Sequence, residues 1–133
     1  MIWFDFISLL NTINIFHCRD ADAKKQDTSR NGGVSVVVWG PPLWRILHTI
    51  GFSPTDEVRT HSRNIIRFIR NLAESLPCKL CRTSYREFMT QLPPLQQMVE
   101  SNDLALWLFL LHSKVNEKLG VVTPPFVQIQ KHY

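Results

Sequence analysis

The sharpest chemical signal in this chain is Pro77-Cys78-Lys79-Leu80-Cys81. Two cysteines three positions apart at the start of a helix share one face, so their sulfurs can meet in a disulfide. A helix N-terminus favours negative charge, and Lys79 and Arg82 add positive field. Each effect favours the thiolate, which is the nucleophile. Zinc is the competing use of such a pair. A structural zinc site needs four ligands, and the chain has neither a second cysteine pair nor a His-x(3–5)-His pair. The spacing therefore favours redox chemistry over metal binding.

Two further stretches carry aromatic and polar groups at helical spacing. In 39–49, Trp44 and His48 lie four apart and stack on one helix face, a surface that suits an aromatic ligand. In 112–120, His112 and Asn116 again share a face, and Lys118 could meet a phosphate. Taken singly neither stretch is specific. A tryptophan at helical spacing serves a core equally well, and a lone histidine is often satisfied by a neighbour.

The elements that must position these groups read as helices. The first is expected over 41–51, with Pro41 and Pro42 in its opening turn. The run 34–38 is rich in valine, has strong β propensity and no partner run, so it is expected as an extended lead-in. Ser53-Pro54-Thr55-Asp56 has the composition of a helix cap, and a second helix follows to about 76. Its apolar arc is flanked by a stripe of Arg59, Arg63, Arg67 and Arg70. That stripe reads as a solvated face, or as a docking surface for an acidic partner. Pro77 breaks the pattern, a third helix runs over 78–91, and a fourth over 104–119 is capped by Ser101-Asn102-Asp103 and ended by Gly120. The fourth is apolar almost all round, which places it at the centre of a bundle or in a subunit interface. Residues 121–133, with Pro124-Pro125, leave room for one more turn.

The N-terminal part is expected to stand apart. Trp3, Phe6, Ile7, Leu10 and Ile13 fall at helical spacing, with Asp5, Ser8, Asn11 and Thr12 opposite. The pattern predicts an amphipathic helix docked on protein. Its run is too short to span a bilayer, it lacks the basic start of a signal peptide, and its polar face lacks the basic residues of a membrane-surface helix. Residues 19–33 are polar and end in Gly-Gly, as a flexible linker would. The organisation read from the sequence is thus 1–33 as segment and linker and 34–133 as one all-α domain.

Composition agrees with a globular protein: 44% of the 133 residues are hydrophobic and 20% charged. The net charge of +4 suits an anionic cofactor or acidic partners, whereas nucleic acid calls for a denser basic patch. Three cysteines, Cys18, Cys78 and Cys81, are an odd count that argues against a disulfide-stapled secreted scaffold.

In order and spacing the three stretches together resemble the ERV/ALR family of FAD-linked sulfhydryl oxidases. That family's pattern runs Gly-x-x-x-Trp-x-x-x-His-Thr, then Pro-Cys-x-x-Cys, then His-Asn-x-Val-Asn-x-Lys-Leu. The matching residues are Gly40, Trp44, His48 and Thr49, then Pro77, Cys78 and Cys81, then His112, Val115, Asn116, Lys118 and Leu119. The resemblance covers 39–120 and implies a four-helix bundle with a short fifth helix, holding FAD at one end. By similarity, Gly40, Trp44, His48, His112, Val115, Asn116, Lys118 and Leu119 belong to the FAD site. Cys81 would lie against the flavin, and Cys78 would face outward to take electrons from the thiols of substrate proteins or a dithiol partner. Oxygen would receive the electrons as hydrogen peroxide. The resemblance further implies a homodimer.

The departures are specific. Ser113 stands where the family has asparagine, and Pro41 where a basic residue often follows the glycine. Residues 121–133 lack the cysteine pair that in many members ties down the fifth helix, and Cys18 alone cannot form a shuttle pair. Minimal single-domain members from large DNA viruses are the most similar in this respect. That source implies the host cytoplasm or the virion. A non-catalytic helical interaction module, with a zinc clip or a degenerate flavin site, is the alternative.

Overall fold

The structure, a computed structural model, describes residues 36–133. The expected N-terminal helix, the linker, Cys18 and the start of the valine run lie outside the described residues. Among the described residues there are seven helices and no strand: α1 (Val36–Gly51), α2 (Thr55–Thr60), α3 (Ser62–Ser75), α4 (Lys79–Gln91), α5 (Leu95–Glu100), α6 (Leu104–Leu119) and α7 (Phe126–Gln130). The four long helices α1, α3, α4 and α6 are the bundle expected, and α7 is its short addition.

The centre is α6, which packs against α1, α4 and α5. Leu104, Trp107, Leu108 and Leu111 on α6 are fully buried, joined by Leu47 of α1 and Ile69 of α3. Trp107 also spends its indole N–H, donating to the Pro93 carbonyl at 2.8 Å. The chain itself buries one side of this nearly all-apolar helix and leaves Ala105, Leu106, Phe109 and Leu110 partly exposed. Phe126 of α7 adds to that cover by meeting Phe109 at 5.1 Å. α1 comes close to α6 at Gly51. A Cβ there would stand 2.9 Å from Leu108 Cδ1 and 3.1 Å from the Ala105 Cα.

Five local features differ from expectation. Val36–Val38 are helical, not extended, so Pro41 and Pro42 lie inside α1 and not in its first turn. Strand propensity reflects packing on a sheet, and here Trp39 and Gly40 are packed into the helical bundle instead. The expected second helix is broken at His61 into α2 and α3, and the break lets α2 reach α5. The Ser53 hydroxyl makes no cap to α2: it donates back to the Thr49 carbonyl at 2.8 Å. Leu95–Glu100 forms a further helix that no helical period in the sequence marks. Leu95 and Val99 are its buried i, i+4 pair. The Ser101-Asn102-Asp103 turn then closes α5, with Asn102 left-handed at φ 61° and the Asp103 N–H donating to the Met98 carbonyl, and no side-chain cap on α6. Gly120 ends α6 at φ 66°, as expected.

No helix among the described residues is long and apolar enough to cross a membrane.

Candidate functional site

Trp44 and His48 stand one turn apart on α1, as His112 and Asn116 do on α6. Packing of α1 on α6 brings the four together, all buried. His112 lies flat on Trp44, with ring centroids 3.9 Å apart and planes 2° from parallel. His48 Nε2 and His112 Nδ1 are 2.8 Å apart, a hydrogen bond in which one ring donates and the other accepts. Trp44 and His48 are at 5.9 Å, so the tighter stack is across helices, not along α1.

Burial sets the charge of this cluster. It lowers His48 to about 4. It holds His112 well below its ordinary value, with the neighbouring His48 as a second cause. Both rings are neutral at pH 7, because a dry site disfavours imidazolium.

Three buried polar atoms in this one place have no hydrogen-bond partner: His48 Nδ1, His112 Nε2 and Asn116 Oδ1. Buried polar groups are nearly always paired, and each left unpaired costs about 1–3 kcal/mol. The Asn116 amide nitrogen is already held by Thr123 Oγ1 at 3.2 Å. Flat aromatic surfaces beside unpaired ring nitrogens and an amide oxygen fit a planar heteroaromatic ligand with polar edges. FAD has that chemistry, so the residues present fit the cofactor that the sequence pattern implies.

The cysteine pair opens α4. Cys78 is the N-cap residue, with an extended backbone, and its Sγ accepts the Cys81 backbone N–H at 3.2 Å. Both cysteines are partly buried, and Cys81 packs against the core. Arg82, expected as a source of positive field, also bonds the Leu76 carbonyl through Nη1 and so ties α4 to the end of α3. Among the described residues, no group of three side chains that could hold a metal gathers at this pair.

Lys118 links the two regions. Its Nζ donates to Ser84 Oγ at 2.6 Å, and Ser84 in turn donates to the Leu80 carbonyl at 3.0 Å. Ser84 lies one turn past Cys81, so the ammonium group of α6 is fixed beside the helix of the cysteines. Gly40 is buried one turn ahead of Trp44, and Val115 packs against the core. Leu119 is half-buried.

Sequence reasoning missed Ser84, Thr123 and Tyr133. Tyr133 stacks on Phe52 at 5.3 Å and approaches His48 at 5.8 Å. Only their place in space marks these residues. None stands at a helical interval from a motif, except Ser84 at three from Cys81.

Residues 41–132 match the family model described as the Erv1 / Alr family. A FAD-linked sulfhydryl oxidase of African swine fever virus (isolate Tick/Malawi/Lil 20-1/1983) is 37% identical over 84 residues, which is 62% of this chain and 68% of that protein. The FAD-linked sulfhydryl oxidase of isolate Pig/Kenya/KEN-50/1950 is 34% identical over 83 residues, with the same coverage. Mitochondrial FAD-linked sulfhydryl oxidase ERV1 of Saccharomyces cerevisiae is 26% identical over 84 residues, 60% of this chain and 42% of that protein. No solved structure gives a significant match.

Proposed function

Because this chain belongs to the Erv1 / Alr family, we propose that it is an FAD-dependent thiol oxidase that makes disulfides in substrate proteins. The observation that carries the proposal is the sulfur of Cys78 held on the amide of Cys81 at the opening of α4. Trp44, His48, His112 and Asn116 would hold the cofactor's flat and polar parts, with Gly40, Val115, Lys118 and Leu119 completing its surroundings. When bound, FAD accepts an electron pair from the dithiol and hands it to oxygen, which leaves as hydrogen peroxide.

The protein's part is thiol–disulfide exchange. With the pair oxidised, a substrate thiolate attacks Cys78 Sγ; the Cys78–Cys81 bond breaks and Cys81 departs as thiolate. The substrate's second thiolate then attacks its own sulfur in the mixed disulfide and releases Cys78 as thiolate. The Cys81 N–H stabilises that leaving group in place, at the positive end of α4. Cys81, packed against the core, keeps its sulfur on the inner side, while Cys78 meets substrate. The sum is two thiols and oxygen giving one disulfide and hydrogen peroxide.

The test is direct. The purified protein should carry the visible absorption of an oxidised flavin, and Cys78→Ser and Cys81→Ser should each abolish dithiothreitol oxidation without losing it. Near-normal turnover in either variant refutes the mechanism. A colourless, zinc-loaded protein would favour the non-catalytic module instead.

The chain is further proposed to act as a homodimer. Val38 and Ile46 leave apolar surface exposed on α1, and an isologous contact is the commonest way to bury such excess. Light scattering that finds only monomers would refute this. The viral relatives support a place in the host cytoplasm or the virion.

A further inference from the structure

Three arginines of α3 line one groove without a partner among the described residues. Arg63, Arg67 and Arg70 are exposed, and with Ile66, Asn71 and Gln96 of the adjoining α5 they border the open cleft between the two helices. Elsewhere on the bundle, arginines find neighbours. Arg86 forms a two-pronged ion pair with Glu74 at 2.7 and 3.0 Å, and Arg59 bonds Asn102 at 3.1 Å. Glu74, the one acid of α3, is thereby turned to α4, away from the groove. Glu100 of α5 is engaged by the Gln96 amide at 2.7 Å and forms no ion pair with the arginines. Like charges at i, i+4 and i, i+3 destabilise a helix, and nothing within the described residues offsets that cost.

The row has a direction. Arg63 to Arg70 spans about 10 Å along α3 at 1.5 Å per residue, and the helix then runs to Ser75 and the turn that ends at Cys78. The next exposed cation along the chain is Lys79, beside the reactive sulfur.

We propose that this groove docks an acidic segment of the substrate protein and presents the neighbouring thiols to Cys78. The proposal rests on the thiol-oxidase reading above and names the class of substrate: dithiol proteins with a run of Asp or Glu near the reactive cysteines. Guanidinium groups pair with carboxylates through two parallel hydrogen bonds, which gives geometry as well as charge. Nearly buried Ile66 adds a little apolar surface, the Asn71 amide can meet a peptide backbone, and Gln96, whose amide nitrogen donates to Glu100, can offer its oxygen. Among the described residues no aromatic ring lines the groove, which therefore offers no stacking platform of the kind that holds single-stranded nucleic acid.

The experiment uses the full flavin-loaded chain and two synthetic peptides. Both carry the same pair of cysteines; one has a flanking run of glutamates, its twin a run of glutamines. The glutamate peptide should show a KM about tenfold lower, with similar kcat, because docking raises the local concentration of its thiols. The gap should close at about 0.5 M salt, where exposed ion pairs are screened. In Arg63→Gln/Arg67→Gln/Arg70→Gln the gap should vanish, while turnover of the glutamine peptide and of dithiothreitol serves as the control. Equal KM values in the wild type, or a gap that survives in the variant, overturn the proposal. A second arm measures fluorescence anisotropy of a labelled, cysteine-free glutamate peptide. If a short single-stranded oligonucleotide binds the same arginines more tightly than that peptide, the face serves nucleic acid and the proposal falls. Failure to oxidise dithiothreitol would overturn the oxidase reading alone, since the anisotropy arm still reports on the groove.

Discussion

Lowering the pH should remove a measurable part of this domain's stability through its two buried histidines. In the folded chain burial holds His48 at about 4, against 6.5 when it is free. His112 is lowered in the same sense by burial and by the adjacent His48. Between those limits the unfolded chain binds protons that the folded one refuses, so stability rises with pH across the window and is lost as pH falls through it. At 1.36 kcal/mol for each pKa unit, His48 alone contributes about 3 kcal/mol above 6.5, and His112 adds to it. A domain of this size has roughly 5–15 kcal/mol in all, so the loss is a large fraction. Urea unfolding followed by circular dichroism reads it. With a slope of about 1–3 kcal/mol/M, the wild-type midpoint should drop by at least about 1 M between pH 7 and pH ~4.5.

Carboxylates also titrate in this range, so the comparison that decides is with His48→Asn/His112→Asn. That variant should be less stable at pH 7 but lose less on acidification, by at least about 3 kcal/mol. If the two proteins lose stability in parallel, the imidazoles are not kept neutral by burial. The dry-site argument is then wrong.

The remaining predictions concern packing and the cofactor. Gly51→Val should cost about 1–3 kcal/mol by overpacking the contact with Leu108 and Ala105, and an unchanged melting temperature would show that α1 and α6 can separate there freely. Tyr85→Phe should cost about 1 kcal/mol, since the phenol donates to the Ile69 carbonyl at 2.8 Å inside the core; a neutral result in urea unfolding would count against that bond. Asn116→Ala should weaken flavin retention and lower the melting temperature together, because a ligand that binds only the folded state stabilises it. Full flavin with an unchanged melting temperature would remove Asn116 from the site.

The parts legible in the sequence are those whose cause is local. The start of α4 is written in Pro77-Cys78, and the end of α6 in Gly120, because a cap and a left-handed residue are properties of a few adjacent positions. The α6 core is written in its near-continuous apolar run. The parts missed depend on what lies across the fold. Three valines read as extended until Trp39 and Gly40 have a bundle to pack on. Leu95-Gln96-Gln97-Met98-Val99 is too short for a helical period to stand out, and only the surface it covers makes it a helix. The break at His61 is equally silent, since the apolar arc of 58–76 continues through it. In the site, the i, i+4 pairs Trp44–His48 and His112–Asn116 were visible. The closest contacts, His112 on Trp44 and His48 to His112, join residues 64 or more positions apart in the chain and no periodicity announces them.

The same burial that neutralises the histidines bears on the chemistry. A site that refuses protons near neutrality is one from which water is largely excluded, and every charge that enters it acts at longer range. Cys81 packs on the edge of this core, and the Lys118 ammonium is fixed one helical turn away through Ser84. On the proposed function, an electron pair leaving the dithiol makes the acceptor side more negative, and the Lys118 cation, held at Ser84 but exposed, would favour that change. Cys78, by contrast, accepts a backbone amide at a helix end, which would suit the proposed exchange with substrate thiols. The two cysteines are three residues apart and chemically alike. The division of labour proposed for them would come from what surrounds them: the core and the cation held at Ser84 for Cys81, and the start of α4 for Cys78.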